Sequence, residues 1–443
     1  MPRPAGRKLA LVLSFAFVVG SWRSQPQRWR FLLLLVPLLG ASISECSSQP
    51  IRISVQPSLS TEDQPVHIAV TGLPPGQSVS LHLSSTDVDG VKWESSATYR
   101  AGASGDLSLD SIAPTSGSYS GVNGMGLISS MLPVKNQVTY TGYFWSNQQP
   151  LTFTLEVVDS GAVIASAKFQ RRFSPIPVAI HSETLAADGF VGDYFAPETE
   201  GEHPAFLTFG GSEGGNSTFL LAALLAAHGY PSLALAYFGE PGLPQTLSNI
   251  PLEYFAKAVQ WLDAQPGVDP DRVWVLGGSR GSEAALLLGV HYPQLVHGVI
   301  ASSPGDAALC SYPDCSGPAW TLDGQPVPYT SQFLNPADDP AAIIPVEQIA
   351  GPAFLDCGGD DQVWTSCTFA DAIMNRLNAA HDLYPHELEA YPEAGHGVDI
   401  LVPYEPATAG PDTALVQGGT PDANQVALAE VWPQLLAFIQ SAG

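Results

Sequence analysis

Positive charge is scarce in this chain: of 443 residues only 17 are lysine or arginine, against 42 aspartate or glutamate, for a formal net charge of −25. A surface so acidic repels phosphate backbones and anionic membranes, and no basic stripe offsets it, which argues against a nucleic-acid partner. Cysteine is scarce too, with five in all. Neither of the close pairs, Cys310 with Cys315 and Cys357 with Cys367, has a histidine or a second cysteine pair at ligand spacing, so no metal site is expected. Internal repeats, heptads and low-complexity tracts are missing, which leaves globular domains as the organising unit. Charged residues make up only 13% of the chain and apolar residues 45%. With a length too great for one ordinary domain, that composition implies two folded domains with large cores.

The chain opens with two apolar runs, residues 9–19 and 31–39, each preceded by arginine or lysine, and the second leads into Gly40-Ala41-Ser42. This is the layout of an export signal, with cleavage expected near residues 41–45 and an uncleaved membrane anchor as the alternative. Residues 1–46 are therefore read as a signal peptide or anchor-like segment. That reading places the protein outside the cell or in its envelope, with membrane insertion during export; a mis-assigned start would leave it cytoplasmic. Cys46 is preceded by Glu45, which is wrong for lipoprotein processing. An oxidising compartment would permit disulfides in both close cysteine pairs, and buried thiols fit the spacing equally well.

Residues 50–172 alternate apolar and polar positions, as in Val66-His67-Ile68-Ala69-Val70 and Val79-Ser80-Leu81-His82-Leu83, between Pro-Gly, Asp-Gly and Ser-Gly turns. That is the pattern of an all-β sandwich, here expected to be immunoglobulin-like. Residues 173–182, with Pro175 and Pro177, read as a linker. Residues 183–443 read as an α/β domain, with a first strand pair around 189–196 and then strands alternating with helices from Pro204.

Three stretches of this second region carry chemistry. Gly277-Gly278-Ser279-Arg280-Gly281 lies between a buried strand at 272–276 and a helix beginning near 282. A serine in that turn is forced into a strained conformation that lifts its hydroxyl above the sheet, and small neighbours give it clearance. Gly358-Gly359-Asp360-Asp361 follows the apolar run 352–357, and either aspartate could supply the acid. Three of the ten histidines come later: His381 near a helix end, His386 opening a strand, and His396 in the turn after residues 388–391. Only His396 stands where a general base is wanted. Nucleophile, acid and base then occur in the order of an α/β-hydrolase triad, Ser279, Asp361 or Asp360, His396. The amide of Arg280 is one expected oxyanion donor, and Gly211 or Ser212 in the run Gly210-Gly211-Ser212-Glu213-Gly214-Gly215 the other. That run lacks the Gly-Lys-Ser/Thr ending of a nucleotide loop, and neither cofactor nor metal is needed for serine chemistry.

Together with Ala234-Leu235-Ala236-Tyr237-Phe238, Leu252-Glu253-Tyr254-Phe255, Ile344-Pro345-Val346-Glu347 and Tyr391-Pro392-Glu393-Ala394-Gly395-His396, these motifs resemble the acyl-CoA thioesterase and bile-acid-CoA:amino acid N-acyltransferase family. Val66 to Leu73, Gly117-Ser118-Tyr119 and Met125-Gly126-Leu127 extend the resemblance into the first domain, so that it spans roughly residues 50 to 440. It implies an α/β-hydrolase domain preceded by a β-sandwich, and an acid three residues after Gly358, which is Asp361. It also implies hydrolysis of acyl-CoA, because the family's thioesterases use serine where its amino acid conjugase uses cysteine. The elbow departs from better-known members, which have lysine and a third glycine after the serine; here Arg280-Gly281-Ser282 stands. Coenzyme A is anionic, so its site would need local cations such as Arg280 or Lys257. The alternatives are an exported carboxylesterase resembling dienelactone hydrolases, an acyltransferase, and a surface protein with a residual triad.

Overall fold

The computed structural model describes residues 50–134, 149–334, 339–380, 383–406 and 416–442. Both apolar runs, the expected cleavage region, Cys46 and His381 lie outside them. In the first region alternation dictates the strands. Ser78–Thr86 and Lys92–Arg100 pair antiparallel and bury Val79, Leu81 and Leu83 from one, Trp93, Ala97 and Tyr99 from the other. Leu151–Asp159 and Ala162–Arg172 extend this sheet. A second sheet, of Arg52–Gln56, His67–Thr71 and Leu107–Ser108, contributes Val55, Ile68, Val70 and Leu107 to the same core. Two antiparallel sheets closing on one apolar layer make a β-sandwich.

The stretch read as a linker behaves differently. After Pro177 the chain enters the strand Val178–Glu183, which pairs antiparallel with Val191–Pro197 and forms the edge of the next sheet. The prolines confine irregular backbone to residues 173–177, and the residues behind them are free to pair. The α/β region thus starts five residues before the boundary drawn at 183.

That region builds one eight-stranded sheet. Its spatial order is Val178–Glu183, Val191–Pro197, Ser232–Ala236, His203–Phe209, Val268–Gly278, Gly298–Ser302, Ala353–Gly358 and His386–Tyr391. The first two strands run antiparallel to their neighbours and the last six are mutually parallel. Parallel strands need crossovers, and these place helices on both faces. Successive residues of Val268–Gly278 therefore point into different cores. Val273 and Val275 pack with the helices Leu252–Asp263 and Arg280–His291, whereas Trp274 and Leu276 pack with Phe219–Ala227 and Pro421–Ala442. This is the α/β-hydrolase arrangement, and its catalytic edge is the carboxyl end of the parallel strands.

Asp63 of the sandwich is a hub between the two regions. It accepts hydrogen bonds from His228 Nε2 (2.7 Å), at the end of helix Phe219–Ala227, and from Trp432 Nε1 (3.1 Å) of the last helix; Thr61 Oγ1 donates to its other oxygen (2.9 Å). Burial alone would raise its pKa, but the His228 hydrogen bond and charge, with Thr61 and Trp432, lower it from 3.8 to about 2. A carboxyl depressed in the folded state stabilises it fully above the unfolded pKa, and that contribution fades as pH falls toward 2. Asp63→Asn is expected to cost about 1–3 kcal/mol at neutral pH. In denaturant unfolding the gap between the two proteins should close as pH falls from above 4 to about 2; a gap independent of pH would contradict the assignment.

Candidate active site

The strand Val268–Gly278 turns into the helix Arg280–His291 through a single residue, Ser279, with φ 51° and ψ −124°. A side chain rarely adopts such a φ, and the neighbouring glycines show why the turn needs them. A Cβ at Gly277 would lie 2.2 Å from the Gly281 carbonyl oxygen, and one at Gly281 2.4 Å from that of Gly210. The Ser279 amide donates to Ser302 O (3.0 Å) on the adjacent strand, which fixes the turn to the sheet.

Ser279, His396 and Asp361 meet at this edge. Ser279 Oγ lies 2.8 Å from His396 Nε2, and His396 Nδ1 lies 2.8 Å from Asp361 Oδ2. A carboxylate only accepts, so Nδ1 carries the proton and Nε2 is left to accept from the serine. His396, assigned to a turn from sequence, opens the short 3-10 helix His396–Ile400. Its carbonyl accepts from Ser303 Oγ (2.9 Å), and the Trp364 ring stands edge-on to the imidazole with centroids 5.5 Å apart.

Geometry separates the two aspartates. Asp361 reaches the histidine with one oxygen, while the other accepts from the amides of Val363 (2.9 Å) and Trp364 (3.2 Å). Asp360 instead accepts from the Gly419 amide (2.9 Å). Cys357 and Cys367 are joined by a disulfide across this loop, and Cys310 is joined to Cys315. The loop that carries Asp361 is thus closed at both ends.

The electrostatic setting favours a protonatable base. Burial would lower the pKa of His396, but the Asp361 hydrogen bond and the charges of Asp399, Asp361 and Glu213 raise it overall. Asp399 is half-buried, and its carboxyl is pushed up to about 7 by burial, with Glu213 and Asp361 adding to the rise and His396 opposing it. A Cβ at Gly278 would stand 3.3 Å from Asp399 Oδ2, so this carboxyl borders the elbow. Neither Asp399 nor Glu213 was singled out from sequence, because an isolated aspartate or a glutamate in a glycine run carries no signal of its own. Asp356 is likewise legible only in three dimensions. It is wholly buried beneath the site, accepts from Ser302 Oγ (2.6 Å), and has its pKa raised well above the usual range by burial.

The expected oxyanion donors sit beside the serine. Arg280 is the first residue of its helix, where amides have no intrahelical acceptor. A Cβ at Gly211 would be only 3.1 Å from Ser279 Oγ, so this backbone lies against the Ser279 hydroxyl. Its amide already donates, to Glu213 Oε1 at 2.9 Å. Tyr237, within one of the segments read as family-like, donates to the carbonyls of Gly210 and Gly211 at 2.8 Å each.

The Arg280 side chain is not the free cation that the sequence suggested for an anionic leaving group. It is 2% exposed; its Nε donates to Glu283 Oε1 (2.5 Å) and its Nη2 to Cys310 O (2.9 Å). Glu283 also accepts from Trp320 Nε1 (2.7 Å) and the Leu309 amide (3.1 Å). One helical turn separates the two residues, so the pair closes locally and leaves its charge inside the fold. Lys257 is exposed, with its ammonium group against Gly189. Among the described residues no group of three or more His, Cys, Asp or Glu is arranged to hold a metal. A groove of about 580 Å³ opens between Ser120, Val122, Glu393, Asp422 and Val426, and its lining does not include the Ser279 cluster.

Comparison with known proteins places both regions. Residues 63–181 match the family described as acyl-CoA thioester hydrolase/BAAT N-terminal region, and residues 250–311 and 322–442 match its C-terminal counterpart. Human acyl-coenzyme A thioesterase 6 is 31% identical over 401 residues, covering 85% of this chain and 93% of that protein. Mouse mitochondrial acyl-coenzyme A thioesterase 2 is 30% identical over 448 residues, covering 94% of each. Among solved structures, esterase Est22 is similar with a TM-score of 0.39 at 16% identity, over 59% of this chain and 80% of that one. The dienelactone hydrolase-like phosphotriesterase P91, from metagenomic libraries, gives a TM-score of 0.37 at 16% identity, over 60% of this chain and 98% of that one.

The arrangement around His396 predicts a pH response that a phosphonate reagent can read at Ser279. Reaction should weaken as pH falls through the raised pKa of His396, because only the neutral imidazole accepts the serine proton. Asp399→Asn removes a charge that favours the imidazolium, so the fall should move to lower pH. An unmoved profile would mean that Asp399 does not act on the histidine.

Proposed function

The chain belongs to the acyl-CoA thioester hydrolase and BAAT family, and from that premise we propose that Ser279, His396 and Asp361 together hydrolyse acyl-CoA to free acid and coenzyme A. The observation that carries this reading is the continuous hydrogen-bonded line from Asp361 through His396 to the strained serine, 2.8 Å at each step. His396 takes the Ser279 proton as the oxygen attacks the thioester carbonyl. The amides of Arg280 and Gly211 face the oxygen that becomes negative. Collapse expels the coenzyme A thiolate, which takes the proton from His396, and the acyl group remains on Ser279. Water, deprotonated by the same imidazole, then releases the acid. The family's thioesterases carry serine where its amino acid conjugase carries cysteine, so Ser279 sets hydrolysis above conjugation. The enzyme is a serine hydrolase of the acyl-CoA thioesterase type.

Asp361 holds the imidazole in the tautomer the first step needs. Ser279→Ala should lower acyl-CoA hydrolysis at least about a thousandfold, and Asp361→Asn by up to about ten thousandfold, with little change in KM. A matched series of acyl-CoA thioesters and p-nitrophenyl esters tests the substrate class. Ester turnover without thioester turnover would favour the carboxylesterase alternative.

We further propose that the protein is exported, its amino-terminal segment entering a membrane in transit. The basic-then-apolar layout of residues 31–39 supports this, as do two disulfides in the catalytic region, which persist in oxidising compartments. The mature protein should begin near residues 41–45 when its amino terminus is sequenced; an intact Met1 on protein recovered from the membrane would favour the uncleaved anchor, and an intact Met1 on protein recovered from the cytoplasm would count against export.

A further inference from the structure

The Gly211 amide assigned above to the substrate's oxyanion is occupied by a carboxylate of the chain itself. Glu213 folds back two residues, and its Oε1 accepts from Gly211 N–H at 2.9 Å. The sequence provides the seat. A Cβ at Gly210 would fall 2.0 Å from Glu213 Oε1, and one at Gly211 3.2 Å from Oε2, so any side chain at Gly210 would expel the carboxylate. Tyr237 fixes which way the donor points. In a trans peptide the carbonyl of Gly210 and the amide of Gly211 lie in one plane and point in opposite directions. The Tyr237 hydroxyl holds that carbonyl at 2.8 Å, so the amide is held toward the opposite side, where Glu213 sits. Glu213 itself is exposed, so its side chain can rotate into solvent without moving the backbone. The following residues, Gly214 and Gly215, have φ 71° and 67°, and the Gly215 amide is pinned to Phe238 O at 2.9 Å.

We propose that Glu213 is a gate on the oxyanion site: its carboxylate satisfies the Gly211 amide in the resting enzyme and must swing out before an acyl carbonyl can take that place. The inference rests on the reading of Gly211 as an oxyanion donor. An amide against the nucleophile would otherwise be left to water whenever the site is empty, and a charged acceptor binds it more strongly than a neutral one. The same charge lies close enough to raise the pKa of His396, so the resting site favours imidazolium, the state that cannot accept the serine proton. Glu213 therefore opposes the first step twice, by holding the donor and by favouring the wrong form of the base. Its departure relieves both.

The test uses a fluorophosphonate probe, whose phosphoryl oxygen seeks the same amides and which contains no coenzyme A. Second-order labelling rates of Ser279 are compared in the full chain, Glu213→Ala and Glu213→Gln, with melting temperatures measured beside them. The gate predicts labelling faster by about tenfold in Glu213→Ala, the equivalent of one charge-assisted hydrogen bond released. Glu213→Gln, which keeps an acceptor without the charge, should fall between. With acyl-CoA, KM should drop in Glu213→Ala more than kcat changes. Equal labelling in all three proteins overturns the gate and leaves the nucleophile standing. Slower labelling with a lowered melting temperature also overturns it, because the carboxylate would then be a brace for the loop. Absence of labelling in every protein would overturn the reading of Ser279 and the gate with it.

Discussion

A φ of 51° at Ser279 is the constraint on which the rest of the site depends, since it sets where the hydroxyl points and which neighbours can stand beside it. Such a conformation costs about 1–3 kcal/mol and persists only where its surroundings over-determine it. Those surroundings are the central strand Val268–Gly278 on one side and the buried helix Arg280–His291 on the other. Burial of Leu286, Leu287 and Leu288, each worth about 1.5–3 kcal/mol, outweighs the strain several times over. Gly277 and Gly281 are there because a Cβ at either would strike backbone. The strand next door supplies Ser302, whose carbonyl holds the Ser279 amide and whose hydroxyl binds buried Asp356. From one turn the contacts run outward into the sheet.

Around that turn charge is used in two opposed ways. The Arg280–Glu283 pair is buried with Trp320 and Leu309, and it ties the elbow helix to the segment near Cys310 through Nε and Nη2. Asp361, Asp399 and Glu213 instead act on one imidazole and tune it. Coenzyme A is anionic and the chain carries a formal charge of −25, so long-range attraction does not speed their encounter. Recognition must come from contacts shorter than the screening distance of about 8 Å at physiological salt. Lys257, exposed on the helix Leu252–Asp263, is one cation the fold leaves at its surface.

Much of this was legible in the sequence because it depends on local pattern. Strand periodicity at 78–86 and 151–159, the strand and helix around Ser279, and the helix Phe219–Ala227 follow from side-chain alternation and apolar runs read over a few residues. What escaped depends on contacts distant in sequence. The edge strand Val178–Glu183 sits behind two prolines that look like linker chemistry, and only its partner Val191–Pro197 makes it a strand. Arg280 looks like a free cation until Glu283, Trp320 and the Cys310 carbonyl close on it. Asp360 and Asp361 are equivalent as letters, and the chain folds so that one meets His396 and the other the Gly419 amide. Glu213 lies inside a run noticed for its glycines, and its meaning depends on where its carboxylate turns.

The central claim is that an acyl group passes from a coenzyme A thioester onto Ser279, and the most direct measurement looks for that group. A long-chain acyl-CoA mixed with the protein and quenched in acid within milliseconds to seconds, followed by peptide mass mapping, should show the acyl mass on the peptide containing Ser279. The adduct should accumulate and then decay as free acid appears. Acid release with no adduct at any time, or an adduct on another residue, would contradict the account.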